Sequence, residues 1–155
     1  MKPRIDVTKY IGLGVGRAML TLSHETAKLM DPKLFELVKI RASQLNGCAY
    51  CLDMHTKDAR LAGETEQRLY ALSAWHETPF FTPRERAALE YTEAVTRVGD
   101  THVPDDVYAR VSKLFDEDEM VALTFAVVVI NAWNRLAVSF RVPPGSYQPA
   151  QTVTA

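Results

Sequence analysis

Apolar residues recur at intervals of three and four along most of this chain, and no segment sustains the apolar–polar alternation of a half-buried strand. A clear example starts at Asp31, which has the side chain of a helix N-cap and precedes a first-turn proline. From there one apolar face continues to Leu45, where the turn-forming pair Asn46-Gly47 ends it. The pattern therefore predicts an all-α fold.

Start and stop signals divide the rest of the chain into further helices. Thr82 with Glu85 has the spacing of a capping box, and Asp116 with Glu119 repeats it ahead of the most apolar segment. Helices are expected over residues 6–30, 31–45, 48–61, 65–74, 82–98, 104–115 and 116–140. We expect one domain over residues 1–155, a compact bundle of about six to seven helices, with the cysteine pair at the start of a central helix. The tail, residues 143–155, should be irregular.

Charge and length exclude several classes of protein. The 155 residues carry 18 lysines and arginines against 19 aspartates and glutamates, a net charge of −1, so the chain lacks the basic surface that binds nucleic acid. The first twenty residues lack the apolar stretch and cleavage site of a signal peptide. The apolar run over residues 120–130 is shorter than the ~20 residues that span a bilayer, which indicates a core helix. We expect a cytoplasmic protein without membrane or nucleic-acid partners.

The segment that follows the apolar run is NAWNR, residues 131–135. Its two asparagines lie on a helix that is otherwise apolar at this point. The segment could therefore place polar groups inside the bundle, but the sequence assigns it no specific role.

Both cysteines of the chain lie in the segment NGCAYCLDMH, as Cys48 and Cys51, and His55 follows one turn later. On a helix with 100° per residue these three side chains fall within an arc of about 60°. They share this face with apolar residues, while the charged residues of the segment lie on the opposite, solvent-facing side. In a reducing compartment, two cysteines so close together indicate redox or metal chemistry rather than a structural disulfide.

The position of the pair predicts a reactive thiol. A helix N-terminus and the Cys-x-x-Cys spacing both lower a thiol pKa, and His55 can accept the proton of Cys51 from the next turn. We therefore assign Cys51 as the attacking sulfur and Cys48 as the resolving one, close enough to form a disulfide. Glu36 is the only charge in LFELV, so burial should raise its pKa toward that of a general base. The turn at 46–47 could place it opposite His55.

Three other interpretations of these residues stay open. The cysteines could be small buried hydrophobes of the core. Cys48, Cys51, His55 and Glu36 could instead form a four-ligand metal site, although zinc usually draws such ligands from separate loops or strands. Finally, the dithiol could exchange disulfides or sense redox state without reducing peroxide.

The combined spacing is more specific than the cysteine pair alone. Glu36 lies twelve positions before Cys48, an Asn-Gly pair precedes that cysteine, and His55 lies four positions after Cys51. With this pattern the chain resembles the carboxymuconolactone decarboxylase superfamily, and within it the alkylhydroperoxidase D-like (AhpD-like) branch, over a region of about residues 30–100. The founding peroxidase of that branch has a histidine between its cysteines, where this chain has Tyr50. The decarboxylase branch lacks the cysteine pair, which makes decarboxylation a remote alternative.

The resemblance implies an all-helical homo-oligomer, a trimer or hexamer, that reduces organic hydroperoxides without a metal or other cofactor. By the same resemblance Cys51 is the peroxidatic cysteine, and Cys48 is the resolving cysteine that an external thiol or dithiol reductant recycles. His55 and Glu36 form the implied proton relay. We therefore expect a thiol-dependent, antioxidant peroxidase, with a non-peroxidatic dithiol protein as the main alternative.

Overall fold

The computed structural model describes residues 2–149, and within them the chain forms helices and no β-strand. Nine α-helices follow one another: α1 Thr8–Ile11, α2 Gly14–Ala27, α3 Pro32–Leu45, α4 Ala49–Leu61, α5 Glu66–Ala71, α6 Pro83–Thr96, α7 Val98–Thr101, α8 Asp105–Val111 and α9 Glu117–Phe140. A 3-10 helix, Leu72–Glu77, continues α5. The predicted all-α fold is confirmed. The count exceeds the expected six to seven because the N-terminal helix breaks between α1 and α2, and the four-residue α7 follows α6.

Capping interactions fix the starts of the main helices where the sequence predicts them. The Asp31 side chain accepts a hydrogen bond from the Leu34 N–H at 2.9 Å, which starts α3. The capping boxes of Thr82 with Glu85 and of Asp116 with Glu119 are both present, at the starts of α6 and α9. These caps satisfy backbone donors that the first helical turn leaves unpaired.

Helices α3 and α9 form the centre of the bundle. Helix α3 packs against α4, α6 and α9, and its residues Leu37, Val38 and Ile40 are at most 1% exposed. Helix α9 has 24 residues, longer than the predicted apolar run, and by length and composition alone it could cross a membrane. It also packs against α2, α3, α4 and α6. Half of the residues in its most apolar stretch are buried, as in the core helix of a bundle.

The chain after α9 returns across helix α4 in an irregular segment, residues 142–149. The Gly145 N–H donates to Asp53 Oδ2 at 2.9 Å, and the Lys57 ammonium donates to the Tyr147 carbonyl at 3.0 Å. The side of α4 predicted to face solvent is therefore partly covered. The irregular tail is observed as far as residue 149, and its predicted remainder, residues 150–155, lies outside the described residues.

Candidate active site

The hairpin between α3 and α4 places the two cysteines. Gly47 has a φ of +62°, a conformation that favours glycine, and this lets the chain reverse between the helices. The Cys48 N–H then donates to the Ser43 carbonyl at 3.0 Å. Cys48 becomes the N-cap of α4, and its Sγ accepts the Cys51 N–H at 3.4 Å. A sulfur thus occupies the position that a serine or aspartate oxygen usually fills.

Both cysteines are free thiols, and each is only 1% exposed. They pack in an apolar cluster with Ala42, Ile130 and Ala137. A cavity of about 240 Å³ reaches Cys51 but not Cys48. We refer to it as the thiol cavity; its wall comes from α1, α4, α9 and the C-terminal segment, and is mostly apolar: Val7, Thr8, Ile11, Tyr50, Met54, Trp133, Leu136, Ala137, Val142, Pro143 and Ser146.

The structure brings Glu36 and His55 together across the same hairpin. His55 Nδ1 lies 3.1 Å from Glu36 Oε2, and the Lys39 ammonium lies 2.5 Å from Glu36 Oε1. Burial raises the pKa of Glu36, but the hydrogen bond from His55 and the charge of Lys39 outweigh it, so this pKa is lowered. The expectation of a raised Glu36 pKa was therefore wrong, because it considered burial alone and left out the charge of Lys39 and the hydrogen bond from His55.

The same pair determines the form of the imidazole. Burial, the largest effect, lowers the pKa of His55, although the hydrogen bond to Glu36 opposes it. At neutral pH an ionised Glu36 therefore faces a neutral His55. Since a carboxylate only accepts hydrogen bonds, Nδ1–H donates to Glu36 and Nε2 keeps its lone pair. The imidazole is thus held in the tautomer of a general base.

The two thiols differ in acidity. Hydrogen bonding from the Cys51 side chain, and less strongly from the Cys51 N–H and the Asn134 side chain, lowers the pKa of Cys48 to about 7 against the opposing effect of burial. The pKa of Cys51 is raised, because its thiol donates to Cys48 and because it is buried. In the resting pair the negative charge therefore lies on Cys48. The expected lowering of one thiol pKa falls on the cysteine that caps the helix, and the assignment of Cys51 as the attacking sulfur stays a prediction.

His55 and Cys51 lie on neighbouring cavities. Within residues 2–149 no hydrogen bond connects His55 to either sulfur, so a proton passing between them needs an intermediate carrier. A second cavity of about 430 Å³ reaches His55 and shares Ile11, Tyr50, Met54 and Trp133 with the thiol cavity. A small molecule at Cys51 would therefore lie beside the space that leads to His55.

Sequence reasoning missed one acidic neighbour of His55. Asp58 Oδ2 lies 3.9 Å from His55 Nδ1, and Tyr147 donates to Asp58 Oδ1 at 2.7 Å. The spacing of Asp58, three residues after the histidine on one helix, was a signal that could have found it. Tyr147 gave no such signal, because its contact depends on the return of the C-terminal segment.

The alternative four-ligand metal site is not assembled. In the described part of the chain, the potential ligand atoms that come within 4.8 Å of one another belong to Glu36, His55 and Asp58, and this group contains neither cysteine. The Lys39 ammonium, 2.5 Å from Glu36, opposes a second cation at this position. The residues present therefore fit a hydrogen-bonded acid–base pair better than a metal centre.

The fold and the site together define the class of this protein. It is an α-helical bundle in which a buried Cys-x-x-Cys pair begins a helix next to a Glu–His pair. Residues 15–94 match the model of the carboxymuconolactone decarboxylase family, and the chain belongs to that family, in its AhpD-like branch. The resemblance inferred from the sequence is thereby confirmed.

Individual relatives agree with this assignment. The chain is 52% identical to the uncharacterized protein YdfG of Bacillus subtilis over 104 residues, which cover 67% of this chain and 71% of that one. A solved protein of unknown function from Agrobacterium tumefaciens, proposed to be the antioxidant defence protein AhpD, superposes with a TM-score of 0.90 at 37% identity, covering 94% of this chain and all of that one. The debrominase Bmp8 shares the fold alone, with a TM-score of 0.79 at 15% identity, over 90% of this chain and 74% of that one.

Proposed function

We propose that this protein is a thiol-dependent peroxidase that reduces small organic hydroperoxides through a Cys48–Cys51 dithiol–disulfide cycle. The observation that carries the proposal is a buried dithiol, one sulfur of which opens to an apolar cavity, next to an imidazole held as a base by a carboxylate. The antioxidant role suggested for the Agrobacterium protein supports it. Cysteine and histidine provide this chemistry without a cofactor.

The proposed reaction begins with movement of one proton. The Cys51 proton passes to Cys48, or through an intermediate carrier to His55 Nε2, and leaves a thiolate on Cys51. This sulfur attacks the outer peroxide oxygen; the O–O bond breaks, its electron pair leaves on the alkoxide, and the alkoxide takes up the proton that Cys51 released and becomes the alcohol. Cys51 is now a sulfenic acid. Cys48, as the thiolate, attacks the Cys51 sulfur, the S–O bond breaks as the disulfide forms, and the leaving hydroxide takes a proton from solvent and becomes water.

Burial of the sulfurs limits what can react with them. A disulfide carried by another protein needs an exposed sulfur to attack, whereas Cys48 and Cys51 are each 1% exposed. A small oxidant can instead enter the thiol cavity, where its apolar part contacts residues such as Met54 and Trp133. This favours a peroxidase over the alternative of disulfide exchange with proteins. A small external thiol or dithiol would return the disulfide to the reduced state, as expected for a cytoplasmic enzyme.

The outer face of α9 supports assembly into a homo-oligomer. Val121, Phe125 and Val128 lie on one side of this helix and are 54%, 43% and 49% exposed. Exposed apolar side chains at this spacing form a stripe suited to a subunit interface. We propose a trimer or hexamer, which light scattering after gel filtration would measure directly.

Thiol counting by mass spectrometry tests the proposed function. Reduced protein receives one equivalent of cumene hydroperoxide and then a dithiol reductant. We expect the peptide with Cys48 and Cys51 to lose two hydrogens reversibly, and Cys48→Ser to accumulate a trapped sulfenic acid on Cys51. Thiols that stay reduced would refute peroxidase activity. A parallel reaction with 2,3,4-tribromopyrrole, the compound bound by a Bmp8 variant, tests whether the dithiol reduces a carbon–bromine bond instead.

A further inference from the structure

One polar side chain buried near the sulfurs has no role in the cycle described above. Asn134, in α9, has no exposed surface. Its Oδ1 accepts a hydrogen bond from Asn46 Nδ2 at 2.9 Å, and its Nδ2 donates to Ser43 Oγ at 3.0 Å. Burying a carboxamide costs free energy unless its donors and acceptors are satisfied, so the position of this one calls for an explanation.

Asn134 lies on the face of α9 that covers the cysteines. Ile130, four residues before it, and Ala137, three residues after it, both pack in the cluster that contains Cys48 and Cys51. Residues at these spacings share one side of a helix, so Asn134 lies between the two that contact the thiols. Its bonds to Ser43 and Asn46 join it to the turn that ends at Cys48. The carboxamide is therefore enclosed between α9, this turn and the sulfurs.

The hydrogen-bond inventory of the carboxamide leaves one donor for the thiols. An asparagine side chain has two N–H donors, and Ser43 takes one of them. We propose that Asn134 is a further residue of the reaction site, which directs its second N–H to whichever sulfur carries the negative charge. Consistent with this, the Asn134 side chain lowers the pKa of Cys48 and also the pKa of Cys51.

The inference rests on the proposed dithiol chemistry and gives Asn134 a distinct part in it. When the Cys51 proton passes to Cys48, negative charge moves from Cys48 to Cys51 before the peroxide is attacked. A donor that serves only Cys48 would oppose this movement, whereas a donor within reach of both sulfurs stabilises the charge before and after it. The backbone N–H of Cys51 at the helix cap stabilises a negative charge on Cys48 alone. Asn134 therefore supplies the donor that can stabilise the charge on either sulfur.

Other ionisable groups around the pair do not replace this donor. On α4, burial and then the charge of the thiols raise the pKa of Tyr50, so this phenol stays neutral, and His55 is bonded to Glu36. On α9 the charge of Arg135 is directed to Asn131 Oδ1, at 2.9 Å, one turn before Asn134. No charged side chain of α3 is among the groups that change the pKa of Cys48. In this proposal the neutral carboxamide of Asn134 is the donor that serves both sulfurs in turn.

Asn134→Leu tests the inference, because it removes the donor while keeping a similar size. Asn46 keeps a bond to Asn131 Oδ1 at 3.0 Å, and Ser43 can donate to its own helix. The thiol pKa is read from the ultraviolet absorbance of the thiolate during a pH titration of reduced protein. We expect the Cys48 pKa to rise by about one unit or more, a roughly fivefold loss of thiolate at pH 7. Asn131→Leu, the same change one turn away, should leave this pKa within about 0.3 units of the wild-type value.

A second measurement uses the unmodified protein. In ¹⁵N-labelled wild type, the side-chain NH₂ resonances of Asn134 should shift with pH at the same midpoint as the thiolate absorbance, and those of Asn131 should not. A Cys48 pKa that is unchanged in Asn134→Leu, or Asn134 resonances that do not follow thiol ionisation, would overturn the inference. Neither measurement uses peroxide. Failure of the proposed peroxidase activity would therefore appear only in the thiol-counting experiment and can be distinguished from failure of this inference.

Discussion

The pair formed by Glu36 and His55 provides the sharpest test of the proposed site. In Glu36→Gln the carboxylate becomes a neutral amide of nearly the same shape. The glutamine oxygen can still accept from Lys39, which lies 2.5 Å from Glu36 Oε1, so the local packing is kept. The amide NH2 group then takes the place of Oε2, so the charge and the hydrogen-bond acceptor 3.1 Å from His55 Nδ1 are lost together. The variant therefore removes the support that the carboxylate gives to the imidazole while it keeps the shape of the side chain.

The size of the effect follows from this contact. A hydrogen bond to a charged partner contributes about 1.5–3 kcal/mol, and each pKa unit corresponds to about 1.4 kcal/mol. The pKa of His55, which burial already lowers, should fall by a further one to two units, roughly. A step in which His55 takes up a proton should slow by about 10- to 100-fold, since the imidazolium loses this stabilisation.

Two readings of the same variant test this magnitude. Stopped-flow measurement of disulfide formation with cumene hydroperoxide gives the rate, and NMR of the imidazole protons gives the His55 pKa directly. Glu93→Gln is the matched control, because Glu93 is also a partly buried carboxylate, bonded to Arg41 at 2.8 Å and Trp75 at 2.7 Å, away from the thiols. A rate for Glu36→Gln within twofold of that for Glu93→Gln would refute the relay.

Three further predictions concern stability and access. Because the pKa values of His55 and Glu36 are lowered in the folded protein, the unfolded state binds more protons, and the free energy of unfolding should fall as the pH drops below 6.5 and again below 4.5. Chemical denaturation at several pH values would show this, and His55→Asn should remove the first decrease. Ala137→Leu should narrow the thiol cavity and slow oxidation by cumene hydroperoxide at least fivefold, roughly, with less than a twofold effect on hydrogen peroxide; equal slowing would contradict a steric role. Tyr147→Phe removes the 2.7 Å bond to Asp58 and should destabilise the C-terminal segment by about 1 kcal/mol, seen as faster limited proteolysis there; an unchanged cleavage rate would contradict this.

The parts of the site that lie close together in sequence could be predicted from it. The turn at 46–47 folds α3 onto α4, so residues at similar distances before and after it, such as Glu36 and His55, face each other. The helix limits were less certain by one or two residues, and that was enough to change the chemistry. Because α4 begins at Ala49, Cys48 is the cap, and the Cys51 N–H that it accepts adds to the stronger effect of the Cys51 thiol in lowering its pKa.

Contacts between distant parts of the chain could not be predicted in this way. Tyr147 reaches Asp58 across 89 positions, and Asn134 reaches Ser43 across 91. Each depends on how a later element packs on the α3–α4 hairpin, and periodicity carries no information about that packing. The asparagines of NAWNR looked merely polar within an apolar helix, and the position of Asn134 against the turn that ends at Cys48 emerged only when α9 was placed on the hairpin.

The sulfur that ionises and the sulfur that a small molecule can reach are different atoms in this structure. Cys48 has the lower pKa because it accepts a hydrogen bond from the Cys51 thiol and, less strongly, the N–H at the start of α4, whereas Cys51 opens to the thiol cavity. A resting thiolate on Cys48 is thereby kept away from oxidants, and only transfer of the Cys51 proton produces a nucleophile in the cavity. In the proposed cycle a sulfenic acid formed on Cys51 would lie beside Cys48, so disulfide formation could outcompete further oxidation of the sulfur. The separation of acidity from access thus favours a cycle that ends in the disulfide over one that destroys the thiol.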